Sequence, residues 1–240
     1  MLTSRRFLLP AFLLPAGLCA LAFADGSAID KVYHPYVDPL EWELEWRVVH
    51  ADQDPVSGKN NRQLHRLALG RAVFDTVFAE LYLLGARTAQ DDMNLQAYEV
   101  EIMWQLTEQG EYSLDYGLLF ELEKVHGDDR WEYATTLLLE REMGRFSATA
   151  NLGLGYEWGG YTDDEIETTL ALQARYRYSA RLEPALELYL GEDTRGLGPV
   201  LMGRERLGPA RALRWEFGIV FGLEQATPDY TVRGLLEYEF

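Results

Sequence analysis

A single cysteine, Cys19, occurs among the 240 residues, and it falls within the first 24. The remainder carries no thiol, which excludes a disulfide framework, a Cys-ligated metal and a cysteine nucleophile together. Histidine is scarce too: His34, His50, His65 and His126 are scattered and form no H-x-x-x-H or H-E-x-x-H pair, so they specify no metal site. Positive charge is in deficit, with 22 Lys+Arg against 39 Asp+Glu and a formal net charge of -17. Such a balance repels phosphate backbones and argues against a nucleic-acid partner, and it disfavours anionic headgroups on the same grounds. After residue 24 no run approaches the roughly 20 apolar residues of a membrane helix. Ser113, Ser147 and Ser179 have no recognisable base beside them and there is no G-x-S-x-G, so no catalytic residue, no enzyme activity and no cofactor is assigned.

Much of what is present is at the two ends and in the spacing between them. Arg5 and Arg6 precede the apolar run Phe7–Leu21, which closes on Ala22-Phe23-Ala24. A charged n-region, an apolar h-region and an A-x-A site read as a secretory signal over residues 1–24, cut after Ala24. Leu18 before Cys19 does not fit a lipidation signal. Residues 25–39, with His34-Pro35 and Asp38-Pro39, read as a short periplasmic lead-in within reach of the lumen.

From residue 40 onward, apolar and polar side chains alternate, the mark of strands with one face in each environment. Trp42, Leu44, Trp46 and Val48 oppose Glu43, Glu45 and Arg47, with Glu41 before them. Tyr98, Val100, Ile102 and Trp104 oppose Glu99, Glu101 and Gln105. The pattern recurs over 114–122, 131–139, 146–158, 166–178, 183–190 and 213–222, and ends with Tyr230, Val232, Leu236, Tyr238 and Phe240 on one parity. Residues 62–73 and 77–87 read as a hairpin, and Pro199–Leu207 as a strand whose face the pattern does not fix. The total is twelve strands. One set of connections is short (74–76, 107–111, 143–144, 180–181, 208–211), while the other is generally longer and rich in turn formers. Trp and Tyr gather towards both ends of the apolar face, where a bilayer has its interfaces.

An even strand number, strands of about ten residues and alternating connection lengths are the pattern of a transmembrane barrel. In the signal sequence, the alternation and the terminal Leu236-x-Tyr238-x-Phe240, the chain resembles the Gram-negative outer-membrane β-barrel proteins. The fold this implies is all-β, a closed up-and-down antiparallel transmembrane barrel of twelve strands over residues 40–240. The resemblance also implies residence in the outer membrane, contact with its lipid and lipopolysaccharide, and recognition of Leu236, Tyr238 and Phe240 by the barrel-assembly machinery.

Twelve strands about 4.8 Å apart and tilted about 40° enclose a barrel roughly 24 Å across, too wide for one layer of Leu and Tyr to fill. The polar face is therefore expected inside. The expected lumen lining is Glu43, Glu45, Glu99, Glu101, Glu121, Glu123, Glu140, Glu165, Glu167, Arg175, Arg177, Glu187, Arg214, Glu216, Arg233 and Glu237. Glu132, Glu183, Glu239, Arg47, Arg66 and Arg145 share that face.

Two readings follow. In one, an acidic eyelet makes a small monomeric channel that favours cations; in the other, ion pairs fill a closed structural or interaction barrel. A lipid-modifying enzyme and a soluble ligand-binding barrel rank below both. Acidic loop residues Asp52, Asp54, Asp91-Asp92, Asp128-Asp129 and Asp163-Asp164-Glu165 suggest weak divalent-cation contacts, with solvated turns as the plainer reading.

Overall fold

The computed structural model describes residues 29–39, 42–53, 60–160 and 164–240. The signal segment 1–24, Glu41, Asp54 and Asp163 lie outside the described residues. Twelve strands follow one another: β1 Trp42–Gln53, β2 Asn60–Phe74, β3 Val77–Arg87, β4 Asn94–Gln105, β5 Asp115–Val125 and β6 Trp131–Met143. They continue with β7 Phe146–Trp158, β8 Glu165–Tyr176, β9 Glu183–Leu190, β10 Arg195–Gly208, β11 Arg211–Gly222 and β12 Tyr230–Glu239. Each pairs antiparallel with its sequence neighbours, and β1 pairs with β12 to close the barrel. Trp42 and Phe240 complete the seam through reciprocal backbone hydrogen bonds, Trp42 N to Phe240 O at 3.1 Å and Phe240 N to Trp42 O at 2.8 Å.

Alternation sorts the two faces. On β4, Tyr98, Val100, Ile102 and Trp104 are exposed while Glu99, Glu101 and Gln105 are buried. A wall with apolar side chains outside and carboxylates inside inverts the usual globular arrangement, in which ionised groups are rarely fully buried. It is the arrangement suited to hydrocarbon around the barrel. Exposed aromatics mark both rims, with Trp42, Trp104 and Phe240 at the short-turn end and Tyr98, Tyr133 and Tyr230 at the loop end.

Three boundaries differ from the sequence expectation. Strand β10 begins at Arg195, four residues before Pro199, and turns Val200 and Met202 inward with Leu197 and Leu201 outward. Gly196 and Gly198, which read locally as turn formers, are strand residues placed where the chain approaches a neighbour closely. A Cβ on Gly198 would lie 1.9 Å from the Ile219 carbonyl oxygen and 2.6 Å from Val220 Cα.

Gly198→Ala is thus expected to destabilise the folded barrel by about 3 kcal/mol, since backbone rather than a flexible side chain must give way. Gly208→Ala, whose Cβ would find nothing nearer than 3.9 Å, is expected to be neutral. Urea midpoints of the two variants in lipid vesicles check the contrast.

The other differences are connections read as short. The one after β4 spans 106–114 and the one after β8 spans 177–182. The first folds on itself: Tyr116 N donates to Thr107 Oγ1 at 2.9 Å, and Gly110 N donates to Asp115 at 3.0 Å.

Candidate functional site

Residues 29–39 run along the inside of the barrel as an irregular strap. Near the short-turn end Val37 packs in a buried cluster with Ala72 and Phe78, against Met103. Nearer the loop end Ile29 and Val32 pack with Tyr189 and Val220. Between these apolar ends the strap is held by polar wall side chains. Tyr33 N donates to Asn151 Oδ1 at 2.7 Å and Asn151 Nδ2 donates to Tyr33 O at 2.9 Å, so one side chain imitates a strand neighbour.

Val37 N donates to Gln105 Oε1 at 2.7 Å, and Tyr189 OH donates to Asp30 O at 2.6 Å. These contacts satisfy backbone groups that an unpaired segment inside a barrel would otherwise leave orphaned. Two glycines make room: a Cβ on Gly117 would lie 2.9 Å from Pro35 Cβ, and one on Gly196 would lie 3.1 Å from Ile29 Cδ1.

The strap also brings charge to the wall. Lys31 Nζ lies 2.7 Å from Glu45 and 3.8 Å from Glu237, Asp30 accepts from Arg47 at 2.9 Å, and His34 Nδ1 lies 2.5 Å from Glu140. Tyr33 OH donates to Glu101 at 2.8 Å and Tyr36 OH to Asp115 at 2.9 Å. Burial alone would lower the pKa of Lys31, but the Glu45 and Glu237 carboxylates outweigh it and raise the pKa, keeping the ammonium charged.

Cross-strand register explains why the wall needs those cations. Glu99, Glu123, Glu132, Glu157 and Glu165 stand opposite one another in one continuous row across β4 to β8. A second row carries Glu239 and Glu43, passes Gly70, and resumes with Glu80, Glu101 and Glu121. Like charges directly opposite repel, and arginines divide the rows into clusters.

Arg47 reaches Glu45 at 2.6 Å and Glu101 at 3.4 Å, and Arg66 holds both oxygens of Glu99 at 2.9 and 2.8 Å. On β12, the strand beside that of Arg47, Arg233 donates to both oxygens of Glu187, at 2.5 and 3.0 Å, and to Glu216 at 2.8 Å. Towards the short turns Arg175 reaches Glu140 at 3.2 Å and Glu183 at 3.3 Å, Arg177 reaches Glu142 at 2.5 Å, and Arg214 reaches Glu237 at 2.8 Å.

Of the expected lining, Glu43, Glu45, Glu99, Glu101, Glu140, Glu187, Glu216, Arg233 and Glu237 are buried, and Glu121, Glu123, Glu165, Glu167, Arg175, Arg177 and Arg214 are half-buried. Glu121, Glu123 and Glu167 line a cavity of ≈ 280 Å³ in the loop-end half of the lumen, whose strap-side wall is Asp30, Lys31 and Tyr33. The expected lining did not include the strap's own residues or their receivers Asn151, Gln105, Asp115 and Tyr189, although alternation put Gln105 on the polar face. Gly117 and Gly196, lumen-facing positions without a side chain, were the local sign that something else occupies that space. Two trios, Glu43-Glu45-Glu237 and Glu99-Glu101-Glu121, bring their carboxylate oxygens within 4.8 Å of one another.

No known family model and no curated protein matches the sequence. Solved structures do match in shape. The barrel is similar to the COG4313 outer membrane channel from Pseudomonas putida F1, with a TM-score of 0.55 at 13% identity over 88% of this chain and 98% of that one. The chain has the fold of outer-membrane barrel channels. It is similar also to the KdgM porin in complex with disordered oligogalacturonate, with a TM-score of 0.53 at 11% identity over 82% of this chain and 98% of the porin. At such identities the likeness is one of fold, and function has to be argued from the lumen.

Proposed function

We propose that this chain is a small monomeric outer-membrane channel for ions and small solutes, favouring cations, whose lumen is occluded at rest by residues 29–39 of the same chain. The observation that carries the reading is the acidic loop-end cavity, lined by Glu99, Glu123, Glu132 and Glu157 of one cross-strand row and ending on the strap. Carboxylates ringing a constriction concentrate cations and exclude anions. Across its middle the strap is fastened by hydrogen bonds and ion pairs, which water and ions can replace, unlike a wholly apolar seal.

In this reading the chain is exported, cleaved near Ala24 and placed in the outer membrane with the short turns on the periplasmic side. The assembly machinery reads Leu236, Tyr238 and Phe240, and lipid and lipopolysaccharide cover the apolar wall. Acidic loops such as Asp91-Asp92 and Asp128-Asp129 meet divalent cations weakly at the rim. The density of buried ion pairs around Arg47 and Arg233 favours a second reading, a permanently closed structural barrel.

Planar-bilayer recording separates the two. The chain beginning at Asp25 is expected to give infrequent openings whose reversal potential in a KCl gradient favours K⁺. Asn151→Ala, which frees both backbone groups of Tyr33, is expected to make the openings more frequent. Silence from both proteins at every voltage supports the closed barrel, and an anion-favouring potential contradicts the acidic eyelet.

A further inference from the structure

We propose that the lumen binds one hard divalent cation of the calcium class among Glu43, Glu45, Glu80 and Glu237, beside the ammonium of Lys31. The site stands on the geometry of the wall and does not need the barrel to conduct.

Register brings Glu43, Glu45 and Glu237 together, and Glu80 comes within electrostatic range of Glu43 and Glu45. Glu45 stands opposite Glu237 across the β1–β12 seam, and Glu43 stands two residues away on the same face of β1. Glu80 belongs to β3, two strands distant, with Gly70 of β2 between it and Glu43. Because Gly70 has no side chain, Glu80 leans into its place: its Cγ lies 2.6 Å from where a Cβ on Gly70 would be. The donor oxygens of Glu43, Glu45 and Glu237 fall within 4.8 Å of one another. A cation with Ca–O distances of about 2.3–2.6 Å spans that spread.

The cations already present do not satisfy the group. Arg47 and Lys31 meet Glu45 at 2.6 and 2.7 Å, and Arg214 meets Glu237 at 2.8 Å. Among the described residues no salt bridge reaches Glu43 or Glu80. Glu43 Oε1, Glu80 Oε1 and Glu237 Oε2 are buried without a hydrogen-bond partner, and Glu43 and Glu80 are each only 7% exposed.

A buried carboxylate without hydrogen bonds or a counter-charge is strongly unfavourable. Lys31 acts on Glu43 and Glu80 only through space, as Arg47 does on Glu80, and both cations are already paired with Glu45, so the cluster keeps an excess of negative charge that one divalent ion offsets. An all-carboxylate protein site suits Ca²⁺, which accepts flexible oxygen coordination, better than Mg²⁺, which demands octahedral geometry and keeps its waters. Lys31 shares the same oxygens, so the strap and the ion oppose each other electrostatically.

The experiment is calorimetric titration of CaCl₂ into the chain beginning at Asp25, folded in chelator-treated detergent, with folding checked by heat-modifiable mobility. Saturable uptake of one ion per chain is expected. The double variant Glu43→Gln and Glu80→Gln is expected to lose it, and Lys31→Met is expected to tighten it about tenfold by removing a like charge a few ångströms from the ion. Absence of saturable uptake by the folded wild-type chain at millimolar Ca²⁺ overturns the proposal and leaves the carboxylates to protons. Uptake that survives in the double variant, or that disappears in Asp128→Asn with Asp129→Asn, places the ion elsewhere and overturns it equally. Should the double variant fail to fold, unchanged or weaker binding in Lys31→Met has the same force.

Discussion

Deleting residues 25–38, so that the chain begins at Pro39, is expected to replace rare openings by a steady open level in planar bilayers. The wall does not depend on the strap for its hydrogen-bonded ladder, because β1 to β12 pair only with one another and close the seam through Trp42 and Phe240. What the strap supplies is occupancy of the lumen: Val37 among Ala72 and Phe78, Tyr33 on Asn151 and Glu101, and Ile29 against Tyr189 and Val220.

Once it is gone, the polar groups it covered, Asn151, Gln105, Asp115 and Glu140, are reached by water, which satisfies them at little cost. The folded band on unheated gels is therefore expected to persist while current rises sharply and remains cation-favouring. A deletion variant that folds but stays silent would show that the ion-paired wall itself seals the barrel.

Arg233→Ala is expected to have the largest effect on stability of any single substitution in the wall. Its guanidinium is 3% exposed and grips Glu187 with two bonds and Glu216 with a third. Removing it takes from two buried carboxylates the salt bridge each makes among the described residues, a loss of about 3–5 kcal/mol. Arg181→Ala is the matched control: that arginine also bonds a glutamate, Glu205, at 2.7 Å, but its side chain is 77% exposed. Exposed pairs of this kind contribute about 0–1 kcal/mol. Urea denaturation in vesicles should separate the two by most of the difference, and equal midpoints would mean that water reaches Arg233 freely.

The wall was legible from local pattern because a strand's faces are decided residue by residue. Tyr98, Glu99, Val100 and Glu101 announce their sides without reference to the rest of the chain. The rule fails where a residue's reason lies across the barrel. Gly196 and Gly198 carry the composition of a turn, yet they belong to β10, because a close neighbour needs their emptiness: Ile29 at Gly196 and the β11 backbone at Gly198.

The strap is the extreme case. His34 and Tyr36 have no periodicity, and their partners Glu140 and Asp115 lie 106 and 79 residues away. Parity put the expected lining on one face of each strand, but parity says nothing of pairing. That Glu99, Glu123, Glu132, Glu157 and Glu165 form one row depends on strand register, which the loops and the barrel closure fix.

The placement of residues 29–39 inside the barrel is the claim on which the occlusion rests, and a disulfide tests it most directly. Cys19 is the only cysteine of the sequence, so a chain beginning at Asp25 has no thiol, and Pro35→Cys with Gly117→Cys introduces the only pair. Their Cβ positions lie 2.9 Å apart, about 0.6 Å short of the usual 3.5–4.5 Å range, a gap that a small shift of the irregular strap closes. Mild oxidation of the folded protein is predicted to join them nearly completely and to hold the barrel silent until a reductant is added. Two free thiols that both react readily with a bulky maleimide would put the segment outside the lumen.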